Sequence, residues 1–438
     1  MLVERASYSW AYSEDIRGSR CGPEDGPWPR PYQVLSEAEL WRELRILAKP
    51  QSTVFDAKKG WRADSINFQP SPKTKTQDRY IVTQLDIHGR TWTLTGVFDG
   101  HLGDVTVEHV AFHLPIIIRD FLREALANDP SCEFTPDLIA DLFSRSIIAF
   151  DDAIANDVLD LFGGIEGLDN FSDAEIRDII NDQYSGGANW KKARLCMYGT
   201  TALVALVDPD HSNLWVANLG DCQAVMASSG DSEGDWNIER LTTDHNGDND
   251  AEVERVRQAH PGEPECVLDR RVLGALAPFR CLGDIPFKQP PAFTRRILYN
   301  LFPGFHNTSP WEEFLVRNLT PPYITAQPEI THRRLDDPLL RGPRFLILAS
   351  DGLTDLCSGE GQKRIISSWA TSMITPAYEP SMIGCAGRGG TVEKPDNMAL
   401  RLLRRALGGE DRYSVSRILT LDMDVAWIDD TSIVVQTL

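Results

Sequence analysis

The sequence predicts a fold of the α+β class, in which antiparallel strands occur together with long amphipathic helices. Alternating apolar residues between Tyr80 and Asp99 predict a hairpin, because every second side chain of a strand faces the same side. Two helical patterns follow, one beginning near Asp104 and one capped by Thr135 with Pro136 in its first turn. The hairpin and the two long helices are the basis of this prediction.

The rest of the chain adds further strands, shorter helices and two stretches rich in loop-forming residues. Strands are expected at 200–207 and 214–227. Shorter helices are expected after Ser36, from Asp250 to about His260, and from Asp396, as the cap, to Gly408. The Gly- and Asp-rich stretch 163–195 is expected to be an irregular insertion, and the Pro-rich stretch 287–322 a long insertion near the site.

The composition argues against several classes of function. The 438-residue chain has 64 acidic and 44 basic side chains and a formal charge of −20, so it is a poor candidate for binding nucleic acid or an anionic membrane. No apolar run approaches the roughly 18 residues that span a bilayer, and the N-terminus lacks the pattern of a signal or transit peptide. The eight cysteines include no Cys-x-x-Cys pair, which favours a reducing compartment. We therefore expect a protein of the cytosol or nucleus.

Aspartates at the ends of strand-like segments are the most informative feature of the chain. Four segments far apart in sequence each carry one, namely Asp99, Asp221, Asp351 and Asp429. A carboxylate at a strand end can reach a cation while its backbone stays paired, and a following glycine lets the cation approach the main chain. A single Asp-Gly pair is typical of a turn, but four aspartates in similar positions indicate one shared metal site. Carboxylates without a His/Cys ligand set favour Mg²⁺ or Mn²⁺.

His101 lies two residues beyond Asp99 and is the candidate proton donor of this site. The ordinary pKa of a histidine lies near neutrality and suits a general acid, although a single histidine is more often structural. Motifs of other hydrolytic chemistries do not occur in the chain, including Cys-x5-Arg, Gly-Asn-His-Glu, the Walker A loop and His-Glu-x-x-His. The chain is therefore expected to work through metal ions.

A series of ordered motifs gives the chain a resemblance to a known family. The motifs are Gly96-Val97-Phe98-Asp99-Gly100-His101, Tyr198-Gly199-Thr200-Thr201-Ala202, Ala217-Asn218-Leu219-Gly220-Asp221, Leu241-Thr242-Thr243-Asp244-His245, Arg280-Cys281-Leu282-Gly283-Asp284, Ala349-Ser350-Asp351-Gly352-Leu353 and Asp429-Asp430-Thr431-Ser432. In these motifs and their order, the chain resembles the metal-dependent serine/threonine protein phosphatases of type 2C. The match covers most of residues 54–438. Two segments, 276–288 and 321–330, are most similar to the pyruvate dehydrogenase phosphatase branch.

The resemblance implies both a fold and a metal site. The implied fold is a central antiparallel β-sandwich, with two sheets packed face to face and flanked by helix pairs, and a binuclear Mg/Mn site at one end. By position, the resemblance implies that Asp99 bridges the two ions and that the Gly100 carbonyl binds one of them. It implies that Asp351 and Asp429 hold the other ion and that Asp221 belongs to a third, weaker ion. It also implies that His101 is the general acid.

The chain departs from the family at positions that bear on this site. The family often has Asn-Glu-Asp-Arg where this chain has Thr76-Gln77-Asp78-Arg79. Gln77 therefore replaces a charged residue that supports the metal, while Asp78 remains a candidate ligand. Arg62 resembles the family's substrate-binding arginine, whose guanidinium matches phosphate oxygens, although it lies too far upstream of Gln77.

These features predict a metal-dependent phosphatase that hydrolyses phosphoserine and phosphothreonine in proteins. Hydroxide formed between the two ions would attack phosphorus in line, and His101 would protonate the leaving oxygen. The alternative is a pseudophosphatase, which would be a binding or scaffold module of the same fold. Gln77 favours this alternative, whereas the intact Asp99 and Asp351 argue against it.

The candidate carboxylates run from Asp99 to Asp429, so nearly the whole chain is expected to build one domain. We expect an N-terminal extension at 1–50 and a single catalytic domain at 51–438, with insertions near 163–195 and 287–322. The expected partner is a phosphorylated protein, with no nucleic acid and no membrane, and the protein is expected to be a monomer. The branch resemblance keeps a mitochondrial location open beside the cytosol and nucleus.

Overall fold

The computed structural model describes residues 7–71, 73–128, 135–230, 234–305, 309–337, 342–357, 361–374, 397–423 and 425–438. The predicted α+β class is confirmed, because helices occur together with antiparallel sheets. The chain divides into two compact units. The six-stranded unit comprises residues 1–76, 224–241 and 336–438, and the five-stranded unit comprises residues 77–223 and 242–335.

The strands are β1 Ser7–Ala11, β2 Arg30–Val34, β3 Gln51–Asp56, β4 Trp61–Phe68, β5 Arg79–Ile87, β6 Arg90–Phe98, β7 Gly100–His101, β8 Gly199–Thr200, β9 Ala202–Val207, β10 Asn213–Leu219, β11 Gln223–Ser229, β12 Trp236–Arg240, β13 Val267–Leu268, β14 Arg271–Val272, β15 Leu282–Gly283, β16 Glu329–Arg334, β17 Arg344–Ala349 and β18 Thr431–Thr437. The helices are α1 Glu37–Ala48, α2 Val105–Asn128, α3 Pro136–Leu159, α4 Asp173–Ile180, α5 Ala188–Leu195, α6 Asp250–Ala259, α7 Pro291–Phe293, α8 Ser309–Leu315, α9 Asp351–Cys357, α10 Gly361–Ile374, α11 Met398–Ala406 and α12 Arg412–Thr420.

An antiparallel sheet with the strand order β16-β10-β9-β6-β5 is the framework of the five-stranded unit. Helices α2 and α3 cover this sheet with the apolar faces that the sequence pattern predicts. Leu114 of α2 and Phe143 of α3 are buried in one core with Leu94 of β6 and Leu206 of β9. Full burial of such a side chain contributes about 2 kcal/mol, so this core holds firmly the strands whose ends carry the candidate residues.

The stretch 163–195 is not irregular, contrary to the prediction, and the stretch 287–322 also contains helices. The first contains helices α4 and α5, and Ser172 and Glu175 form a capping box at the start of α4. The second contains α7, which continues into a π-helical turn, and α8. Phe287 and Phe314 stack within it, with ring centroids 4.5 Å apart, in a small core that also includes Val256 of α6.

The six-stranded unit contains a sheet with the order β12-β11-β17-β18-β4-β3, in which β18 is antiparallel to both β17 and β4. Helices α1, α10, α11 and α12 contribute to its core. Leu44 of α1, Trp369 of α10 and Leu403 of α11 are buried in the same cluster as Ile433 of β18. The N-terminal residues thus share this core, while the division into an extension and one catalytic domain stays a prediction.

Several expectations about individual elements have clear outcomes. The hairpin is confirmed as β5 and β6, and the Thr135 side chain caps α3 as predicted. The single strand expected at 214–227 is wrong, because Gly220 has a φ of +117° and ends β10 before β11 begins. Helix α11 is capped by Asn397, and Asp396, the expected cap, lies outside the described residues. Within the described residues, none of the helices combines the length and apolarity needed to cross a bilayer.

Candidate metal centre

Asp99 and Asp221 come together at one edge of the five-stranded sheet. Asp99 directly follows β6, and Asp221 lies two residues after β10. Both strands flank β9, where Leu203 pairs with Val97 on one side and with Asn218 on the other. The ends of β6 and β10 therefore meet at the start of β9. A carboxylate oxygen of Asp99 lies within 4.8 Å of one of Asp221.

Thr201 fixes the main chain of Asp99. The Thr201 amide donates a hydrogen bond to the Asp99 carbonyl oxygen at 2.9 Å, and the Asp99 amide donates to Thr201 Oγ1 at 3.0 Å. Both bonds use the backbone of Asp99, so they hold this residue in place whatever its carboxylate binds.

The surroundings of Asp221 favour a bound cation. Burial raises the pKa of Asp221, and the negative charge of Asp244 adds to this effect. A hydrogen bond from Asn246 Nδ2 at 3.0 Å opposes the rise without cancelling it. A raised pKa means that nearby positive charge and hydrogen bonds do not fully offset the burial of the ionised carboxylate, and a divalent cation would supply the missing positive charge.

Asp78 and Gly100 lie beside Asp99. Asp78 is buried and precedes β5, opposite the point where Asp99 leaves β6. A Cβ atom added to Gly100 would lie 2.8 Å from the carbonyl oxygen of Gln77. A side chain at Gly100 would therefore separate the two ends of the hairpin, which explains the glycine at this position.

Asp351 and Asp429 lie at one edge of the six-stranded sheet. Asp351 begins α9 just after β17, and Asp429 precedes β18 by two residues. Because β17 and β18 are antiparallel neighbours, the end of β17 lies next to the start of β18. Gly352 packs so closely against the Asp430 carbonyl oxygen that a Cβ atom would overlap it. The Asp-Gly pair therefore serves close packing of two chain segments here, and not a hairpin turn.

Arg20 forms an ion pair with Asp429, a contact that the sequence analysis did not anticipate. The Arg20 guanidinium contacts the Asp429 carboxylate, and the Arg20 amide donates to the Trp427 carbonyl oxygen at 2.8 Å. The Arg20 side chain is 55% exposed, so a ligand in solvent can reach it. No local motif marks Arg20, because its partner lies near the other end of the sequence.

The structure does not bring Arg62, the candidate phosphate ligand, to Asp429. Arg62 lies at the start of β4, whereas the end of that strand, Phe68, pairs with Thr431 beside Asp429. Six residues of extended strand separate Arg62 from Phe68, which corresponds to about 20 Å. Arg62 lies near Asp64 instead, with 3.7 Å between its Nη2 and the carboxylate.

His101 is held by Asp284, a residue that from the sequence alone was expected only to support a loop. A small sheet with the order β15-β8-β7 brings the residue after Gly283 next to His101. His101 Nε2 and Asp284 Oδ2 lie 2.6 Å apart. Burial alone would lower the pKa of His101, but the charge and hydrogen bond of Asp284 outweigh it and raise that pKa. Asp284 thus favours the protonated ring.

Comparison with known proteins agrees with this geometry. The family model "Protein phosphatase 2C" matches residues 165–380, which include Asp221 and Asp351. Mitochondrial pyruvate dehydrogenase phosphatase 1 of Bos taurus is 32% identical over 298 residues, or 63% of this chain and 53% of the relative. The human phosphatase 2 of the same name is 32% identical over 300 residues, or 63% of this chain and 54% of the relative. A protein phosphatase 2C homolog of Schizosaccharomyces pombe is 28% identical over 368 residues, or 82% of this chain and 76% of the relative.

These comparisons all indicate one family. The chain is similar to the protein phosphatase 2C family over residues 165–380, just under half of its length. It spans little more than half the length of the pyruvate dehydrogenase phosphatases that it matches.

Proposed function

We propose that the protein is a metal-dependent phosphatase that hydrolyses phosphoserine and phosphothreonine in protein substrates. The observation that carries this proposal is the pair of carboxylates of Asp99 and Asp221, whose oxygens lie within 4.8 Å of one another beside the ends of β6 and β10. Similarity to the protein phosphatase 2C family supports the same chemistry. Two divalent ions, when bound, would supply an activated water and neutralise the charge of the phosphate.

The proposed ligands match Mg²⁺ or Mn²⁺ in chemical type. Asp99, Asp221 and Asp351 offer carboxylate oxygens, and we add Asp429, Asp78 and the Gly100 carbonyl to this set from the family resemblance. Hard divalent cations prefer such oxygen donors, whereas zinc sites usually include Cys or His. The raised pKa of Asp221 supports this fit, since a bound cation would compensate its buried charge.

His101 is the proposed proton donor for the leaving group. When the bond between phosphorus and the Ser or Thr oxygen breaks, that oxygen gains an electron pair and needs a proton. His101 follows Asp99 by two residues, and the Asp284 carboxylate stabilises the protonated ring. General acid catalysis of this kind typically contributes about 10² to 10⁴ in rate.

We assign capture of the substrate phosphate to Arg20, in place of Arg62. A guanidinium next to Asp429 would lie beside the bound ions and could pair with phosphate oxygens. Arg20→Ala is expected to raise KM for a phosphothreonine peptide about tenfold with a much smaller change in kcat, because charged hydrogen bonds contribute about 1.5–3 kcal/mol. Arg17→Ala, an exposed arginine of the same segment, is the matched control. Equal KM values for wild type and Arg20→Ala would exclude this role.

Release of phosphate from a phosphothreonine peptide tests the proposed function. Wild-type protein is assayed with Mn²⁺, with Mg²⁺ and with excess chelator. Turnover that depends on the metal supports a phosphatase. A folded protein that binds Mn²⁺ without turnover would instead be a pseudophosphatase, and a protein that neither binds metal nor turns over would refute the metal centre.

The substrate and the compartment also belong to the proposal. The relatives named above act, by their names, on pyruvate dehydrogenase in mitochondria or as protein phosphatases 2C. For this chain we propose a phosphorylated protein as the substrate, a monomeric state, and no nucleic acid or membrane partner. The cytosol or nucleus is the proposed compartment, with the mitochondrion as the alternative that imaging of a tagged full-length protein would distinguish.

A further inference from the structure

Asp284 is a buried acid in an unusual backbone conformation. Its side chain is only 1% exposed, and its φ of +50° lies in the left-handed region, which residues other than Gly adopt rarely. Its amide donates to the Tyr198 carbonyl oxygen at 3.0 Å. Its carboxylate accepts from Cys281 Sγ at 3.0 Å and lies 2.6 Å from His101 Nε2. A residue kept in such a conformation must be held there by its surroundings.

A second buried ion pair fixes the segment that carries Asp284. Lys288 Nζ lies 2.6 Å from Asp151 Oδ2, and the two side chains are only 10% and 7% exposed. Lys288 Nζ also donates to the Cys281 carbonyl oxygen at 2.8 Å. Asp151 Oδ1 accepts from the Gly283 amide at 2.8 Å. Helix α3 thus binds the segment 281–284 through one carboxylate and its lysine partner.

Two glycines at this point allow the chain segments to approach closely. A Cβ atom on Gly199 would overlap the Asp284 carboxylate, and one on Gly283 would overlap the Tyr198 carbonyl oxygen. Gly283 also has a φ of +76°. The strands β8 and β15 therefore approach closely enough that Asp284 reaches the His101 ring directly.

We infer that Asp284 is the positioning residue of His101, and that the Asp151–Lys288 pair sets the position of Asp284. With Nε2 held by Asp284, Nδ1 is the ring nitrogen left to donate a proton to the substrate. This inference rests on the proposed function. In the step concerned, a hydroxide oxygen bonds to phosphorus as the bond between phosphorus and the Ser or Thr oxygen breaks, and the electron pair of the broken bond stays on the Ser or Thr oxygen. The oxygen takes the Nδ1 proton, and the neutral ring keeps the Nε2 proton bonded to Asp284 until it takes up another from water.

Two substrates with different leaving groups separate this role from a structural one. A phosphothreonine peptide releases a strongly basic alkoxide that needs a proton, whereas 4-nitrophenyl phosphate releases a weakly basic phenolate that does not. For Asp284→Asn, kcat on the peptide is expected to fall about 10²-fold more than kcat on 4-nitrophenyl phosphate. For Asp151→Asn, the fall in kcat on the peptide is also expected to exceed the fall on 4-nitrophenyl phosphate, but by a smaller factor. Asp152→Asn, the exposed neighbour on α3, is the control.

The His101→Ala background provides the decisive comparison. If Asp284 acts through His101, adding Asp284→Asn to His101→Ala causes no further fall on the peptide. Equal falls on both substrates, or a further fall in the double variant, would overturn the inference. If Asp284→Asn does not fold, the same comparison of the falls in kcat on the two substrates, made with Asp151→Asn, decides whether the inference holds. A wild-type protein inactive on both substrates would instead refute the proposed function.

Discussion

Asp99→Asn is expected to lower kcat on a phosphothreonine peptide at least about 10²-fold and to weaken Mn²⁺ binding. Asparagine keeps the shape of the side chain and one oxygen donor but removes the negative charge that a divalent cation requires. The change also removes repulsion between Asp99 and Asp221, whose carboxylate oxygens lie within 4.8 Å. In the absence of metal, the variant is therefore expected to be at least as stable as the wild type.

This combination of results distinguishes a metal ligand from a structural carboxylate. Loss of a ligand lowers kcat without lowering the stability of the metal-free protein, whereas loss of a structural carboxylate lowers that stability. Activity is measured as phosphate release, and stability as the midpoint of thermal unfolding in excess chelator. Asp210→Asn is the matched control, because Asp210 is 69% exposed, pairs with Arg90 and lies in the turn at the opposite edge of the same sheet. Wild-type kcat in Asp99→Asn would show that Asp99 does not hold the metal.

Glu252→Gln is expected to lower the free energy of unfolding by about 3 kcal/mol. Glu252 on α6 is buried and accepts hydrogen bonds from Arg280 Nε and Arg255 Nη2, each at 3.0 Å. Burial alone would raise the pKa of Glu252, but the hydrogen bonds and charges of Arg280 and Arg255 lower it to about 2. Glutamine would leave two arginines near a neutral side chain, so the loss includes the cost of their unpaired charge.

The effect of Glu252→Gln is expected to depend on pH in a defined direction. The pKa of Glu252 is lowered from 4.5 to about 2 in the folded protein, so its contribution is complete above pH 4.5 and is lost as the pH falls towards 2. The difference between wild type and variant in urea unfolding should shrink over that range. Glu254→Gln, an exposed glutamate of the same helix, serves as the control. A difference that does not change between pH 7 and pH 3 would contradict the ion-pair explanation.

The sequence was most informative where structure depends on local patterns. Thr135 caps α3, and the hairpin of β5 and β6 follows from alternating apolar residues. The positions of Asp99 and Asp351 at strand ends could also be predicted, because an apolar run that stops at Asp-Gly is visible in the chain itself. The helices α4 and α5 were missed because Gly and Asp residues obscure their short apolar patterns. The capping box of Ser172 and Glu175 was the available signal.

Contacts between residues far apart in sequence could not be predicted in this way. His101 and Asp284 meet only because the two-residue strands β7, β8 and β15 pair, and such short strands leave no periodic pattern. Arg20 reaches Asp429 by a contact between opposite ends of the chain. Arg62 is a related case. Its motif resembles the family's arginine, but the register of β4 against β18 places Arg62 at the end of β4 that lies away from Asp429.

Calorimetric titration of Mn²⁺ into the wild type and Asp351→Asn tests the central claim most directly. That claim is that carboxylates from distant segments of the chain hold the same metal ions. The wild type is expected to bind Mn²⁺ saturably, and Asp351→Asn is expected to bind it at least about tenfold more weakly while keeping its thermal unfolding midpoint. Equal Mn²⁺ affinity in the two proteins would contradict the claim, whatever activity the wild type shows.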